Sequence, residues 1–161
     1  MAGKNGYGAN GAGSGTCCNG PTGTAAAANT GGGGGGGGYT TAAVGFAGGG
    51  GFVGSHLADL LLARGDSVVA VDNFVTGRRA NVAHLADHPA FRVVEHDVTT
   101  PLPASLTDDR FDHVLDLASP ASPVDFARMP LEILAVGSTG TRNLLDLAVA
   151  HGARFFLAST S

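Results

Sequence analysis

Apolar residues recur in two rhythms from about residue 42 onward, and the two alternate along the chain. Short continuous runs rich in Val, Leu, Phe and Ala predict strands at about 42–47, 67–72, 91–95, 112–117 and 153–158. Continuous rather than alternating runs mark strands buried on both faces, and Ser67-Val-Val-Ala-Val-Asp72 is the clearest. Between the first two runs, Val53, Leu57, Leu60 and Leu61 recur at helical spacing, and Gly65 after Arg64 is a C-terminal stop. A longer helix is predicted from about Pro130 to His151, with Pro in its first turn, leucines at 131, 134, 144, 145 and 147 as apolar positions and Gly152 as its stop. Gly137 and Gly140 fall inside it, where each costs up to ~1 kcal/mol relative to Ala; both therefore predict close approach of a strand or a ligand. Strand, turn, helix and strand in succession predict an α/β fold with a parallel sheet.

Residues 1–41 show neither rhythm. Sixteen of the 27 glycines lie in the first forty positions, with an unbroken run from Gly31 to Gly38, and Lys4 is the only charged residue before position 50. Such a segment has almost no apolar surface to offset the entropy of ordering, so residues 1–41 are expected to be a disordered low-complexity leader, with the folded domain at 42–161. The leader has neither an apolar stretch of signal-peptide type nor an Arg-rich transit pattern, and no apolar run of membrane-spanning length occurs anywhere. Cys17 and Cys18 are adjacent, which fits neither a zinc spacing nor a redox pair, and they read as incidental thiols of a cytoplasmic, disulfide-free protein. Eight scattered arginines against 13 acids leave the rest of the chain at 8 − 13 = −5, without the basic footprint of a nucleic-acid binder. His84 and His88 stand at i, i+4 on an expected surface helix, but no third ligand accompanies them and no metal site is predicted.

Candidate chemistry begins at Gly48-Gly-Gly-Gly-Phe-Val-Gly54, between the first strand and the first helix. Two registers fit: Gly48, Gly51 and Gly54 as G-x-x-G-x-x-G, or Gly49, Gly51 and Gly54 as G-x-G-x-x-G. Glycines there allow a tight turn and let the backbone approach a pyrophosphate, while the helix N-terminus offers unpaired N–H groups. In so glycine-rich a chain the pattern alone also fits a flexible linker; what favours a dinucleotide site is Asp72, which ends the second strand 18 residues beyond Gly54. A carboxylate there accepts hydrogen bonds from a free ribose and repels a 2′-phosphate, which predicts NAD rather than NADP. The alternative for Asp72 is a turn or helix cap. Together these features predict a Rossmann-type doubly wound parallel sheet, incomplete at about five strands.

The segments Gly51-Phe-Val-Gly-Ser-His-Leu57, Val71-Asp-Asn-Phe-Val-Thr-Gly-Arg78, His96-Asp-Val98, Leu117-Ala-Ser-Pro-Ala-Ser-Pro123 and Gly152-Ala-Arg-Phe-Phe-Leu-Ala-Ser-Thr-Ser161 resemble, in combination, the N-terminal part of extended short-chain dehydrogenase/reductases. Within that superfamily the chain is most similar to the UDP-glucuronate decarboxylases and to relatives described as NAD-dependent epimerase/dehydratases. The resemblance implies that Gly48, Gly51, Phe52, Val53 and Gly54 line the pyrophosphate. It likewise implies that Asp72, Asn73, Phe74, Thr76 and Gly77 hold the adenosine ribose and phosphate, that Asp97 and Val98 meet the adenine, and that Leu117, Ala118 and Ser119 pass beside the cofactor. Ser119 to Pro123 would form a stiff loop near the sugar, and Thr160 would hydrogen-bond the sugar 4-hydroxyl.

The activity so implied is oxidation of a nucleotide sugar at C4 by tightly held NAD, loss of carbon dioxide from the 4-keto sugar, and return of the hydride, by a homodimer acting on UDP-glucuronate. The superfamily's base is a Tyr-x-x-x-Lys pair. The only tyrosines of this chain are Tyr7 and Tyr39 and its only lysine is Lys4, so it is expected to be an N-terminal fragment of such an enzyme. Ser161, where 4,6-dehydratases place an acid, favours decarboxylation. Gly45 and Gly50 stand where relatives carry an aliphatic residue and Ala, Asp116 where they commonly carry His, and Ala135 where several carry Lys. A 4,6-dehydratase, a 4-epimerase, an inactive NAD-binding fragment and a Gly-rich interaction protein are the alternatives.

Overall fold

A computed structural model of the chain describes residues 41–159, so the expectations for the leader up to residue 40, and for Thr160 and Ser161, lie outside the described residues. Five strands, β1 (Ala43–Ala47), β2 (Ser67–Asp72), β3 (Phe91–Glu95), β4 (His113–Asp116) and β5 (Arg154–Leu157), form one sheet. Every pairing is parallel and the spatial order is β3-β2-β1-β4-β5, the doubly wound arrangement. The chain leaves β1 toward β2 and β3 on one side, then returns past it to β4 and β5 on the other. The order therefore reverses between β1 and β4, where strand ends open a crevice.

Helices cover both faces of the central strands, which explains their continuous apolar runs; the run of edge strand β5 is not so covered, with Phe156 and Leu157 exposed. α1 (Phe52–Arg64) buries Ala58, Leu61 and Leu62 against Val44, Phe46, Val68 and Ala70. On the other face α5 (Thr141–His151) buries Leu144, Leu147 and Ala148 against Ala47, Val71 and Val114. Gly45 sits in β1 on this second face because the Phe111 ring lies over it: a Cβ there would stand 3.1 Å from the ring. Both helices end where predicted, at Gly65 and Gly152 in the left-handed region.

Three expectations need correction. The long helix is present but is not a uniform α-helix: α4 (Pro130–Ala135) passes through a π turn at Val136–Gly140 into α5. An extra residue per turn shifts the helical phase, and this separates the two glycines. Gly140 is pressed against the sheet side, where an added Cβ would lie 2.9 Å from Val98 Cγ2, whereas Gly137 faces open space and makes no close approach. Second, His84 and His88 do not share a surface helix. Short 3₁₀ turns at Arg79–Asn81 and Ala83–Leu85 bury Val82 and Leu85 at three-residue spacing, and Pro89 disfavours a helical conformation at His88. Third, the loop after Ser119 stops short of Pro123, which instead opens a short helix, α3 (Pro123–Arg128), capped by the Ser122 hydroxyl accepting from the Val124 N–H. A further one-turn helix, α2 (Ala104–Thr107), precedes β4 and buries Leu106.

Among the described residues no helix is long and apolar enough to cross a membrane, and no cluster of three or more His, Cys, Asp or Glu forms that could hold a metal ion.

Candidate functional site

The turn after β1 is built by contacts that exclude side chains. Gly48 has φ +82°, and a Cβ on it would stand 2.7 Å from the Leu117 carbonyl oxygen, so β4 presses against the turn from the far side of the crevice. The carbonyl of Gly48 turns under the helix start, accepting from the Gly51 N–H at 3.1 Å, and a Cβ on Gly54 would strike that same oxygen. Three glycines thus bring the first turn of α1 down onto the strand end. No side chain caps α1 and no acid lies in its first turn, so its N-terminal N–H groups and dipole are left for an anion.

Asp72 stands beside this turn at the tip of β2. Its Oδ2 accepts the Gly50 N–H at 2.8 Å and its Oδ1 accepts the Phe74 N–H at 2.7 Å. Each carboxylate oxygen has a second lone pair, so the cap reading and the ribose reading are compatible on one residue. Phe74, at φ +55°, lays its ring against Gly50, where a Cβ would meet it at 2.6 Å, and the Arg79 guanidinium stacks 4.4 Å from its centroid. Arg79 also pairs with Glu95, while the Arg78 N–H donates to the Gly50 carbonyl at 2.9 Å.

At the end of β3 the Asp97 Oδ1 accepts from the Thr99 N–H at 2.9 Å and its hydroxyl at 2.7 Å. Burial pushes the Asp97 carboxyl up, but the Thr99 bonds, the Asn73 side chain and nearby His96 outweigh it and hold the group below its ordinary value of 3.8. Asn143 on α5 ties this loop down by donating to the Val98 carbonyl at 2.8 Å and the Thr100 carbonyl at 3.2 Å.

These strand ends enclose a cavity of about 380 Å³. Of the residues expected at the site, Gly48, Gly51, Asp72, Asn73, Thr76, Gly77, Asp97, Val98, Leu117, Ala118 and Ser119 line it. Gly54 and Phe74 shape the turn without lining the cavity. Phe52 and Val53 open α1 with side chains 76% and 62% exposed, so what they offer inward is main-chain N–H. Thr160 lies outside the described residues. Pro120, from the loop expected near the sugar, lines the cavity too, while sequence reasoning missed Val71, Val75, His96 and Thr99, and a wall made by Met129, Glu132 and Val136 around Ala135. Glu132, Ala135 and Val136 stand at i, i+3 and i+4 on the predicted long helix, so the spacing itself carries the signal of a second face on that helix.

Among the described residues the lining includes no Lys or Arg, so a bound pyrophosphate would be met by the α1 N-terminus. The turn that three glycines keep clear, the open helix start and the strand-tip carboxylate fit a dinucleotide.

Comparison with known proteins agrees. The model of the NAD dependent epimerase/dehydratase family matches residues 46–161. UDP-glucuronic acid decarboxylase 4 of Arabidopsis thaliana is 48% identical over 111 residues, which is 69% of this chain and 24% of that protein. The chain spans about a quarter of the length of the curated relatives it matches. Among solved structures, the WbmH enzyme of Bordetella bronchiseptica in complex with NAD+ is 33% identical with a TM-score of 0.60, over 72% of this chain and 38% of that one. An epimerase from Methanothermobacter thermautotrophicus superposes with a TM-score of 0.68 at 26% identity, over 76% of this chain and 36% of that one.

Proposed function

The chain belongs to the NAD dependent epimerase/dehydratase family, and from that premise we propose that it is the NAD-binding portion of a nucleotide-sugar enzyme of the UDP-glucuronate decarboxylase type. The observation that carries the reading is the Asp72 carboxylate bonded to Gly50 of the turn that opens α1, which puts a ribose acceptor and an anion-binding helix start side by side.

When bound, NAD supplies a hydride acceptor at C4 of the sugar and later returns the hydride. The chain's own share is binding and orientation. The main-chain N–H groups of Phe52, Val53 and Gly54 at the α1 start hold the pyrophosphate, since those of Gly48 to Gly51 already donate to Val71, Asp72 and Gly48. The free lone pairs of Asp72 accept from the ribose hydroxyls and disfavour a 2′-phosphate. Val98 and the Asp97 loop bound the adenine side, and Leu117 to Ser119 form the wall on the β4 side, excluding water there. Thr160 holds the sugar 4-hydroxyl. The tyrosine that removes its proton, and the lysine that keeps that tyrosine ionised, belong to another part of the enzyme, a cytoplasmic homodimer.

Calorimetry tests the cofactor assignment: the chain binds NAD, binds NADP at least tenfold more weakly, and loses NAD binding in Asp72→Ala, where the like-charge exclusion and the ribose acceptor both disappear. Absence of NAD binding by the wild-type chain overturns it. For the whole enzyme, incubation with UDP-glucuronate yields a pentose nucleotide and carbon dioxide. The likeness to UDP-glucose 4-epimerase structures favours a second reading, 4-epimerisation, which returns a hexose nucleotide without gas.

A further inference from the structure

One buried ionisable group has no part in the scheme above. Asp116 ends β4 one residue before the cavity wall and is 2% exposed. Its Oδ2 accepts the Thr141 hydroxyl at 2.7 Å and its Oδ1 accepts the Ala118 N–H at 3.2 Å. Its partners are thus a hydroxyl and an amide rather than a cation, an arrangement that costs desolvation without ion pairing to offset it. What such a carboxylate supplies is geometry.

The two bonds join elements that line opposite sides of the cavity. Ala118 and its neighbour Leu117 belong to the β4 wall, and Thr141 opens α5 directly after the π turn whose first residue, Val136, lines the helical wall. Leu117 also packs against the glycine turn, since a Cβ on Gly48 would stand 2.7 Å from its carbonyl oxygen. A shift of the β4 end would therefore change both the wall and the support of the turn.

We propose that Asp116 is a positioning residue for the β4 half of the dinucleotide cavity. It pins the Leu117–Ser119 wall to the helix beyond the π turn and thereby sets the width of the channel on the side away from the adenosine. The inference rests on the NAD-site reading given above. In a doubly wound sheet the adenosine half of a dinucleotide lies over the β1–β3 half and the other nucleotide over the strands beyond the switch point. The adenosine contacts at Asp72 and Asp97 are independent of Asp116, so its loss is felt by one half of the ligand.

The test compares NAD with ADP by calorimetry on the same chain. In Asp116→Ala and Thr141→Val, ADP binds as in the wild type while NAD binds roughly tenfold more weakly, the effect of losing one hydrogen bond to a charged group. Asp116→Asn keeps NAD affinity within about twofold, because its amide oxygen accepts from Ala118 and its NH₂ donates to the Thr141 hydroxyl. Equal loss of NAD and ADP in both variants, wild-type NAD affinity in both, or an Asp116→Asn protein as weak as Asp116→Ala overturns the proposal. Should Asp116→Ala not fold, Thr141→Val alone decides. A wild-type chain that binds neither ligand overturns the NAD reading instead.

Discussion

The Asp72 carboxylate at the tip of β2 and the Gly50 main chain in the turn after β1 are joined by a 2.8 Å hydrogen bond, so the group offered to a ribose also holds the glycine turn in place. Affinity and stability are therefore linked at this residue. Asp72→Asn turns an NH₂ toward either the Gly50 or the Phe74 N–H, and one of those donors loses its acceptor. The variant is expected to be destabilised by about 1–3 kcal/mol in urea unfolding, in the absence of any ligand.

Two glycines of the same chain give opposite outcomes on substitution by Ala. Gly54→Ala drives a methyl group into the Gly48 carbonyl and displaces the α1 start; it destabilises the fold and abolishes NAD binding in calorimetry. Gly137→Ala meets nothing within 4 Å and lies in a helical backbone, so it raises stability by about 0.5–1 kcal/mol through the unfolded state.

Gly45→Val adds bulk under the Phe111 ring, 3.1 Å from the new Cβ. Overpacking of this kind costs about 1–3 kcal/mol, and Phe111→Leu in the same chain recovers part of it, measured as the shift in urea midpoint between single and double variants.

Asp97 and Asp116 have opposite linkage to pH. The Asp97 carboxyl is held below its ordinary 3.8, so its contribution is present above that pH and is lost as pH falls through the folded value. The destabilisation of Asp97→Asn is then present at neutral pH and disappears in strong acid. For Asp116, burial pushes the carboxyl above 3.8, against the opposing bonds from Thr141 and Ala118. The folded state binds this proton more tightly than the unfolded state, so stability is lost as pH rises from 3.8 through the raised value. Relative to wild type, Asp116→Asn gains stability across that interval and holds the gain above it, read from urea midpoints at stepped pH.

The strands and the two helix stops are legible in the sequence because their causes are local. Val68 to Val71 is apolar without interruption, so it is buried on both faces, and Gly65 and Gly152 end helices through their own left-handed backbone. The cavity's glycine turn and Asp72 are legible for the same reason, since strand, turn, helix and strand follow one another within a single short stretch of chain. His84 and His88 mislead because i, i+4 spacing says nothing unless a helix forms, and Pro89 and the burial of Val82 and Leu85 favour tight turns instead.

What the chain order alone determined is the parallel α/β succession, the phosphate-type turn and the acid at the tip of β2. Only the tertiary structure decided which glycine is needed for space, that Phe111 fills the room over Gly45, and that a π turn follows α4 with Gly140 meeting Val98. It alone brought Asp116 to Thr141, 25 positions apart, and Asn143 to Val98, 45 apart. Local rhythm follows from each residue's own backbone and burial preference. Contacts between distant segments depend on how two packed layers fit together, and that fit is a property of the assembled sheet and helices rather than of any stretch of sequence.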